Sequence, residues 1–233
     1  MMIEPSALAA ARRSLEDSGL LLLGEVHGVR ENPLIIRSLM QVFGLTALAL
    51  EWPDDLAPVI GAFLAEGKLP DHPLLWPGDG RITAGHLAVL RERDAAGPLD
   101  LALFDGITGA DWTWSQRDEA MAGRILAAAQ PDAGMLAVAG NAHTPTSPVP
   151  LGIPLGACLA RQRPGVREIR IRYGSGSYYN GGPRQFPRRT IIWPSQIRLH
   201  CQHGALILDL PTAGEASVPH RPIPWPQPQL TTP

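Results

Sequence analysis

Four short apolar runs in this sequence are each followed by side chains that can transfer or hold a proton. In chain order, the runs and the polar residues after them are Leu20–Leu23 with Glu25 and His27, Ala47–Leu50 with Glu51, Leu99–Phe104 with Asp105, and Met135–Ala139 with Asn141 and His143. An imidazole exchanges a proton near neutral pH, and a carboxylate can orient it and stabilise its charged form. The candidate catalytic residues are therefore Glu25, His27, Glu51 and His143.

The apolar runs also predict how these side chains are brought together. Short, continuous apolar strands that alternate with helices are typical of a parallel sheet covered on both faces. The predicted helices run from Ser6 to about Asp17, from Asn32 to Gly44, from about Asp55 to Glu66, onward from a cap at Thr83, and from a capping-box-like start at Ser115 and Asp118 to about Gln130. The predicted fold class is α/β, with three α/β/α layers and a mainly parallel central sheet. Because the carboxyl ends of parallel strands share one edge, where ligands bind, the polar residues are expected in one crevice.

The region from residue 166 to 210 has a different pattern. Strands that alternate more clearly between apolar and polar residues are predicted at Val166–Tyr173, Thr190–Trp193, Ile197–Gln202 and Ala205–Leu210. His203 and Gly204 suit a two-residue hairpin turn, so this region is predicted to be an antiparallel β extension of the same domain. One domain is expected over residues 1–217, with the motifs in 1–145 and a loosely ordered, Pro-rich tail over 218–233.

Composition limits the kind of protein this is. With 233 residues, 45% of them apolar, the chain can bury one large core. The net charge of −2 argues against a nucleic-acid partner, and no apolar window is long enough to span a bilayer. The two cysteines, Cys158 and Cys201, make no disulfide framework and the N-terminus lacks a signal-peptide pattern, so a cytoplasmic protein is expected. The expected partner is a small-molecule or peptide substrate.

Other residues near the strand ends are weaker candidates. Those that could line a substrate pocket are Trp52, Asp105, Trp112 and Asn141, with Trp76 and Trp114 in neighbouring segments. Asp105 is also a typical turn residue before glycine, and Asp118 is at least as good a helix cap as a catalytic group. His200, Cys201 and His203 have metal-ligating residue types, but on a strand Cys201 points away from His200, so a structural role is expected.

Several of these segments resemble a known superfamily. The matching stretches are Leu23–Gly28, Glu31–Pro33, Leu50–Glu51, Arg117–Ala122 and Ala139–His143. Their order and spacing resemble the superfamily that joins erythromycin esterases, ChaN-like haem-binding proteins and Tiki proteases. The resemblance implies an α/β/α fold with an active-site role for the four candidate residues and a supporting role for Arg117. Its branches have different activities, namely ester hydrolysis, haem binding and metal-dependent peptide cleavage.

The leading hypothesis from these residues is hydrolysis of an ester, lactone or amide by activated water, without a cofactor. His27 is the predicted general base, Glu25 or Glu51 would orient it, and His143 and Arg117 would stabilise developing negative charge. No Gly-x-Ser-x-Gly motif is present, so a covalent serine nucleophile is not favoured. Two alternatives stay open: a divalent metal held by Glu25, His27, Glu51 and His143, or a non-enzymatic carrier of haem or another ligand.

Overall fold

The computed structural model describes residues 1–68, 72–75, 78–106, 111–130, 133–187 and 193–217. Three predictions lie wholly or mainly outside these residues: the tail over 218–233, the side chain of Trp76, and the strand over 190–193. Among the helices in the described ranges, none is both long and apolar enough to cross a membrane.

The described part of the chain forms one sheet of nine strands together with six helices. The strands are β1 (Met2–Ile3), β2 (Leu20–Glu25), β3 (Ala47–Pro53), β4 (Asp100–Asp105), β5 (Met135–Gly140), β6 (Arg167–Tyr179), β7 (Pro183–Gln185), β8 (Arg198–Gln202) and β9 (Ala205–Ala213). The helices are α1 (Pro5–Ser18), α2 (Asn32–Phe43), α3 (Ala57–Glu66), α4 (Ala84–Ala96), α5 (Trp114–Ala128) and α6 (Leu155–Gln162). The strand order is β1-β8-β9-β6-β2-β5-β3-β4, and β7 pairs with β6. Six neighbouring strands of this order pair in parallel, namely β9, β6, β2, β5, β3 and β4. The predicted α/β fold class with a mainly parallel sheet is therefore confirmed.

The two faces of the sheet bury different side chains, which explains the continuous apolar runs. Leu21 and Leu23 of β2 point into a core shared with α1 to α4. Their neighbours Leu20 and Leu22 point into a second core, shared with α5 and α6. A strand that is covered on both faces has no solvent-facing position, so every residue of β2 is buried. This is the predicted three-layer arrangement.

The C-terminal extension is antiparallel only in part, which corrects the prediction. β8 pairs antiparallel with β9 through the predicted His203–Gly204 turn, where both residues have positive φ angles of 51° and 83°. In contrast, β6 pairs parallel with both β2 and β9. The reason is α6, a helix that the sequence analysis did not predict. It returns the chain to the starting end of the sheet, so β6 runs in the same direction as β5.

The start of α5 also differs from the prediction in a way that shapes the site. The capping box is formed by Thr113 and Gln116, instead of Ser115 and Asp118. Ser115 accepts a hydrogen bond from the backbone of Ile153, and Asp118 lies in the second turn of the helix, fully buried against the sheet. The cap is therefore supplied two residues earlier, and Asp118 is available for other partners.

Candidate active site

The carboxyl ends of β2, β3, β4 and β5 deliver their polar side chains to one crevice. Glu51 at the end of β3 is the centre of this group. Its carboxylate oxygens lie 3.6 Å from Nε2 of His27 and 3.7 Å from Nε2 of His143. Glu25 lies 3.1 Å from Nδ1 of His27. The structure thus brings together all four candidate residues that the sequence pointed to.

The Glu51 carboxylate is buried, with 3% of its side chain exposed, and is surrounded by donors and positive charge. One oxygen accepts the backbone N–H of Gly140 at 2.7 Å, and the other accepts from Nη2 of Arg117 at 3.2 Å. Burial by itself would raise the pKa of Glu51, but hydrogen bonding and charge from His27, with the charge of Arg81, outweigh it and hold that pKa well below its ordinary value. Glu51 is therefore a permanent anion and a poor proton acceptor.

His27 lies between two carboxylates. Burial disfavours its charged form, but the hydrogen bonds and negative charges of Glu25 and Glu51 more than compensate and raise the pKa of His27 to about 10. At neutral pH the ring is therefore an imidazolium, which has no lone pair to accept a proton. In this charged form His27 is a hydrogen-bond donor and could not act as the predicted general base.

The charge on His27 gives a testable pH dependence of stability. Because the pKa of His27 is about 10 in the folded protein and 6.5 ordinarily, its stabilising contribution is fully present below about pH 6.5 and is lost as the pH rises toward 10. The loss should be on the order of a few kcal/mol. Urea unfolding of the wild type and of His27→Gln, measured from pH 6 to about pH 10, should show that the stability difference between them changes across this range. A pH-independent difference for His27→Gln would contradict the shift.

His143 has a different environment from His27. Its Nδ1 lies 2.8 Å and 3.0 Å from the two carboxylate oxygens of Asp118, one of which also accepts the backbone N–H of Leu155 at 2.7 Å. Nη1 of Arg117 lies 3.4 Å from Nε2 of the ring. Because a carboxylate can only accept, Nδ1 carries the ring proton that faces Asp118, and in the neutral ring Nε2 then has a lone pair to which Nη1 of Arg117 can donate. Trp114 stacks on the ring with centroids 5.4 Å apart and holds its plane.

Asp118 is the main functional residue that the sequence reasoning undervalued. A signal for it was present: Asp118, Met121, Ala122 and Ile125 are spaced along one face of α5, and all four are buried. A carboxylate on the apolar face of an amphipathic helix needs a partner there, since an unpaired buried charge is costly. A helix-capping role explains an aspartate at this position equally well, so the sequence pattern alone does not assign Asp118 to the site.

Arg81 is a second residue that the sequence reasoning did not find. It precedes the Thr83 cap of α4, donates to Asp79 at 2.6 Å, and also pairs with Asp105. Asp105 in turn lies 2.9 Å from Nη2 of Arg117. Asp105 was predicted to bind substrate, but in the structure it positions two arginines beside Glu51. No local sequence pattern around Arg81 indicates this contact.

The remaining predicted substrate-binding residues lie in different surroundings. Trp52 is buried behind His27, and its Nε1–H donates to the carbonyl of Arg81 at 3.0 Å. Trp112 is 46% exposed at the surface before α5. The backbone N–H of Asn141 donates to the carbonyl of Glu25 at 2.8 Å, while the residue lines a separate groove with Arg170.

The donor set does not fit a divalent metal ion in this arrangement. The ring nitrogens of His27 face carboxylates, Glu25 at 3.1 Å and Glu51 at 3.6 Å, and the oxygens of Glu51 are already bound by Gly140 and Arg117. Two guanidinium groups, from Arg81 and Arg117, lie within 4 Å of Glu51 and would repel a cation. Across the ranges that the structure describes, no group of three or more His, Cys, Asp or Glu side chains is arranged to hold a metal. The cavity beside Glu25 and His27, of about 10 Å³, is also far too small for a haem.

Comparisons with known proteins identify the fold. A solved structure of a succinoglycan biosynthesis protein has a TM-score of 0.65 and 11% identity, covering 89% of this chain and 91% of that chain. An erythromycin esterase mutant in its open conformation has a TM-score of 0.62 and 13% identity, covering 88% and 93%. A bacterial protein toxin has a TM-score of 0.50 and 21% identity, and this chain spans only 38% of its length. These identities show a shared fold alone.

Sequence comparisons give no match. No family model matches the chain, and none of the curated protein sequences is significantly similar to it. The resemblance of the motifs to erythromycin esterases therefore has a counterpart in the fold, and the chemistry must be argued from the site itself.

Proposed function

We propose that this protein is a hydrolase that uses His143 to activate water and cleaves an ester, lactone or amide in a small molecule or peptide. The observation that carries this proposal is the Asp118–His143 pair, whose hydrogen bond leaves Nε2 as a proton acceptor in the crevice. A buried carboxylate behind a histidine is the arrangement by which catalytic triads fix the tautomer of the base. The shared fold with an erythromycin esterase supports the same reaction class.

The surrounding charges supply the other requirements of acyl hydrolysis. As water attacks the carbonyl carbon, its proton passes to Nε2 of His143, and Asp118 stabilises the resulting imidazolium. Negative charge develops on the carbonyl oxygen, and His27 and Arg117 are the positive donors beside it. His143 then returns the proton to the leaving oxygen or nitrogen as its bond to carbon breaks. Glu51 lies between these groups, where it orients His27 and balances the positive charge.

The experiment that tests this proposal follows water into the product. The purified chain is assayed against chromogenic esters, lactones and short peptide amides in water enriched in oxygen-18, and the acid product is analysed by mass spectrometry. One heavy oxygen in the acid, formed by the wild type and not by His143→Ala, is the expected result. His200→Ala is the matched control, because His200 also pairs with an aspartate, Asp209, but contacts no residue of the crevice in the described structure. Turnover that persists in His143→Ala, or no turnover of any of these substrates, would refute the proposal.

Gly140 provides a second test, because it lies under the space where the reacting groups converge. A Cβ atom added there would lie 3.2 Å from Nε2 of His27, 3.6 Å from Glu51 and 3.7 Å from His143, with no close backbone contact. Gly140→Ala should therefore keep the fold but lower kcat/KM by at least about 10-fold, because the methyl group displaces the substrate from its reactive position. Gly123→Ala is the control: it lies on α5 with no atom near the added methyl group, and should leave the rate unchanged and the Tm equal or slightly higher. Equal rates for both variants would show that chemistry does not occur above Gly140.

A further inference from the structure

A small cavity lies beside His27, and His143 is not among the residues that line it. Its polar lining comes from Glu25, His27, Glu51, Arg81 and His86, and its volume of about 10 Å³ has room for one water molecule. Buried waters are found where two to four polar groups converge on such a space. The reaction proposed above does not use this cavity or His86.

One carboxylate oxygen of Glu25 lacks a hydrogen-bond donor at this position in the described part of the chain. One of its carboxylate oxygens accepts from Nδ1 of His27 at 3.1 Å, while Oε2 is buried and has no hydrogen-bond partner among the described residues. A buried carboxylate oxygen without a donor is costly, and the cost falls on the ionised form that His27 needs. Since Glu25 also lines the cavity, a donor placed there would supply this hydrogen bond.

His86 can supply that donor. The hydroxyl of Thr83 accepts the backbone N–H of His86 at 3.2 Å and lies 2.8 Å from Nδ1 of its ring. The hydroxyl proton has one partner among the described residues, Nδ1, and donating it there places the ring proton of His86 on Nε2. Burial lowers the pKa of His86, which keeps the ring neutral and preserves this tautomer. The edge-to-face contact with Trp52 fixes the ring at the cavity wall.

We propose that His86 is a positioning residue that donates through one bound water to Oε2 of Glu25. The water accepts the Nε2–H of His86 and donates to Glu25, so the carboxylate of Glu25 stays aligned on Nδ1 of His27. This chain of contacts holds His27 in the charged form that stabilises the reaction. The link to catalysis rests on the proposed function, but the contacts themselves are tested without a substrate.

The test measures the titration of His27 by NMR of its ring nitrogens in the full chain, together with a high-resolution crystal structure. The structure should show one water between His86 and Glu25, and the NMR spectrum should show His86 protonated on Nε2. His86→Phe keeps an aromatic ring but removes the donor, so the pKa of His27 should fall by about one unit or more. His86→Gln restores an N–H donor and should recover most of this shift.

Trp52→Phe separates positioning from packing. It changes the packing around the His86 ring but keeps an aromatic ring against it and keeps the donor, so the pKa of His27 should stay close to the wild-type value. An equal shift in Trp52→Phe and His86→Phe would overturn the proposal in favour of simple packing. A cavity without water between the two residues, or His86 protonated on Nδ1, would also overturn it, and both are read from the wild type. None of these results depends on finding a substrate, so failure of the hydrolase proposal is recognised separately.

Discussion

Asp118→Asn should lower kcat by about 10²- to 10⁴-fold while the protein stays folded. The amide oxygen can still accept the backbone N–H of Leu155, which leaves the amide nitrogen facing Nδ1 of His143. An amide donates where the carboxylate accepted, so the ring proton moves to Nε2 and the base loses its lone pair. The measurement is steady-state kinetics on a substrate found in the hydrolysis assay, with circular dichroism to confirm the fold.

The chain offers a matched control for this substitution. Asp209 accepts from Nε2 of His200 at 2.9 Å and from Arg172 at 2.7 Å, so Asp209→Asn makes the same change in another buried His–Asp pair. It should leave kcat unchanged, whatever it does to stability. A wild-type rate in Asp118→Asn would show that the tautomer of His143 does not matter, and an equal loss in both variants would indicate a general effect of destabilisation.

Glu51→Gln should have the largest effect on stability. The substitution leaves His27 and the two guanidinium groups of Arg81 and Arg117 facing a neutral amide, although the amide oxygen can still accept from Gly140. Removing one partner from a buried ion pair typically costs about 3–5 kcal/mol, because the remaining charge is uncompensated. Urea unfolding near pH 7 measures this loss.

The pH dependence of the Glu51→Gln effect identifies its cause. The penalty should shrink as the pH rises toward 10, because the wild type then loses the charge on His27 and with it part of the interaction. Glu92→Gln is the surface control: Glu92 pairs with Arg37 at 2.6 Å, but 49% of its side chain is exposed, so the change should cost at most about 1 kcal/mol. A Glu51→Gln penalty that is equally small, or that grows with pH, would contradict the central role of this charge.

The sequence was sufficient to predict the sheet and the position of the crevice, because both follow from local patterns. The apolar run Leu20–Leu23 is typical of a strand covered on both faces, and Glu25 follows it at the edge where ligands bind. The direction of β6 was not predictable in the same way, since an alternating pattern records which face is buried and carries no information on the direction of the neighbouring strand.

The chemical roles depended on distances that sequence does not contain. His27 was predicted to be the base because a histidine ordinarily titrates near neutral pH, but two carboxylates within 4 Å raise its pKa to about 10. His143 is predicted from the sequence to stabilise negative charge, whereas its contact with Asp118 leads us to propose it as the proton acceptor. The residue types and their convergence were predictable, and the assignment of acid and base required the partners of each ring.

The position of β5 in the sheet determines when this site can form during synthesis. β5 lies between β2 and β3, which do not pair with each other, and β2 otherwise pairs with β6. When the chain has been synthesised only as far as residue 131, β3 and β4 are the described strands that already have each other as partners. The partners of β1 and β2 come later in the chain. A ribosome-bound N-terminal half therefore carries Glu25, His27 and Glu51 without the strand that joins them, and the nascent chain has no assembled charge cluster until Met135–Gly140 inserts.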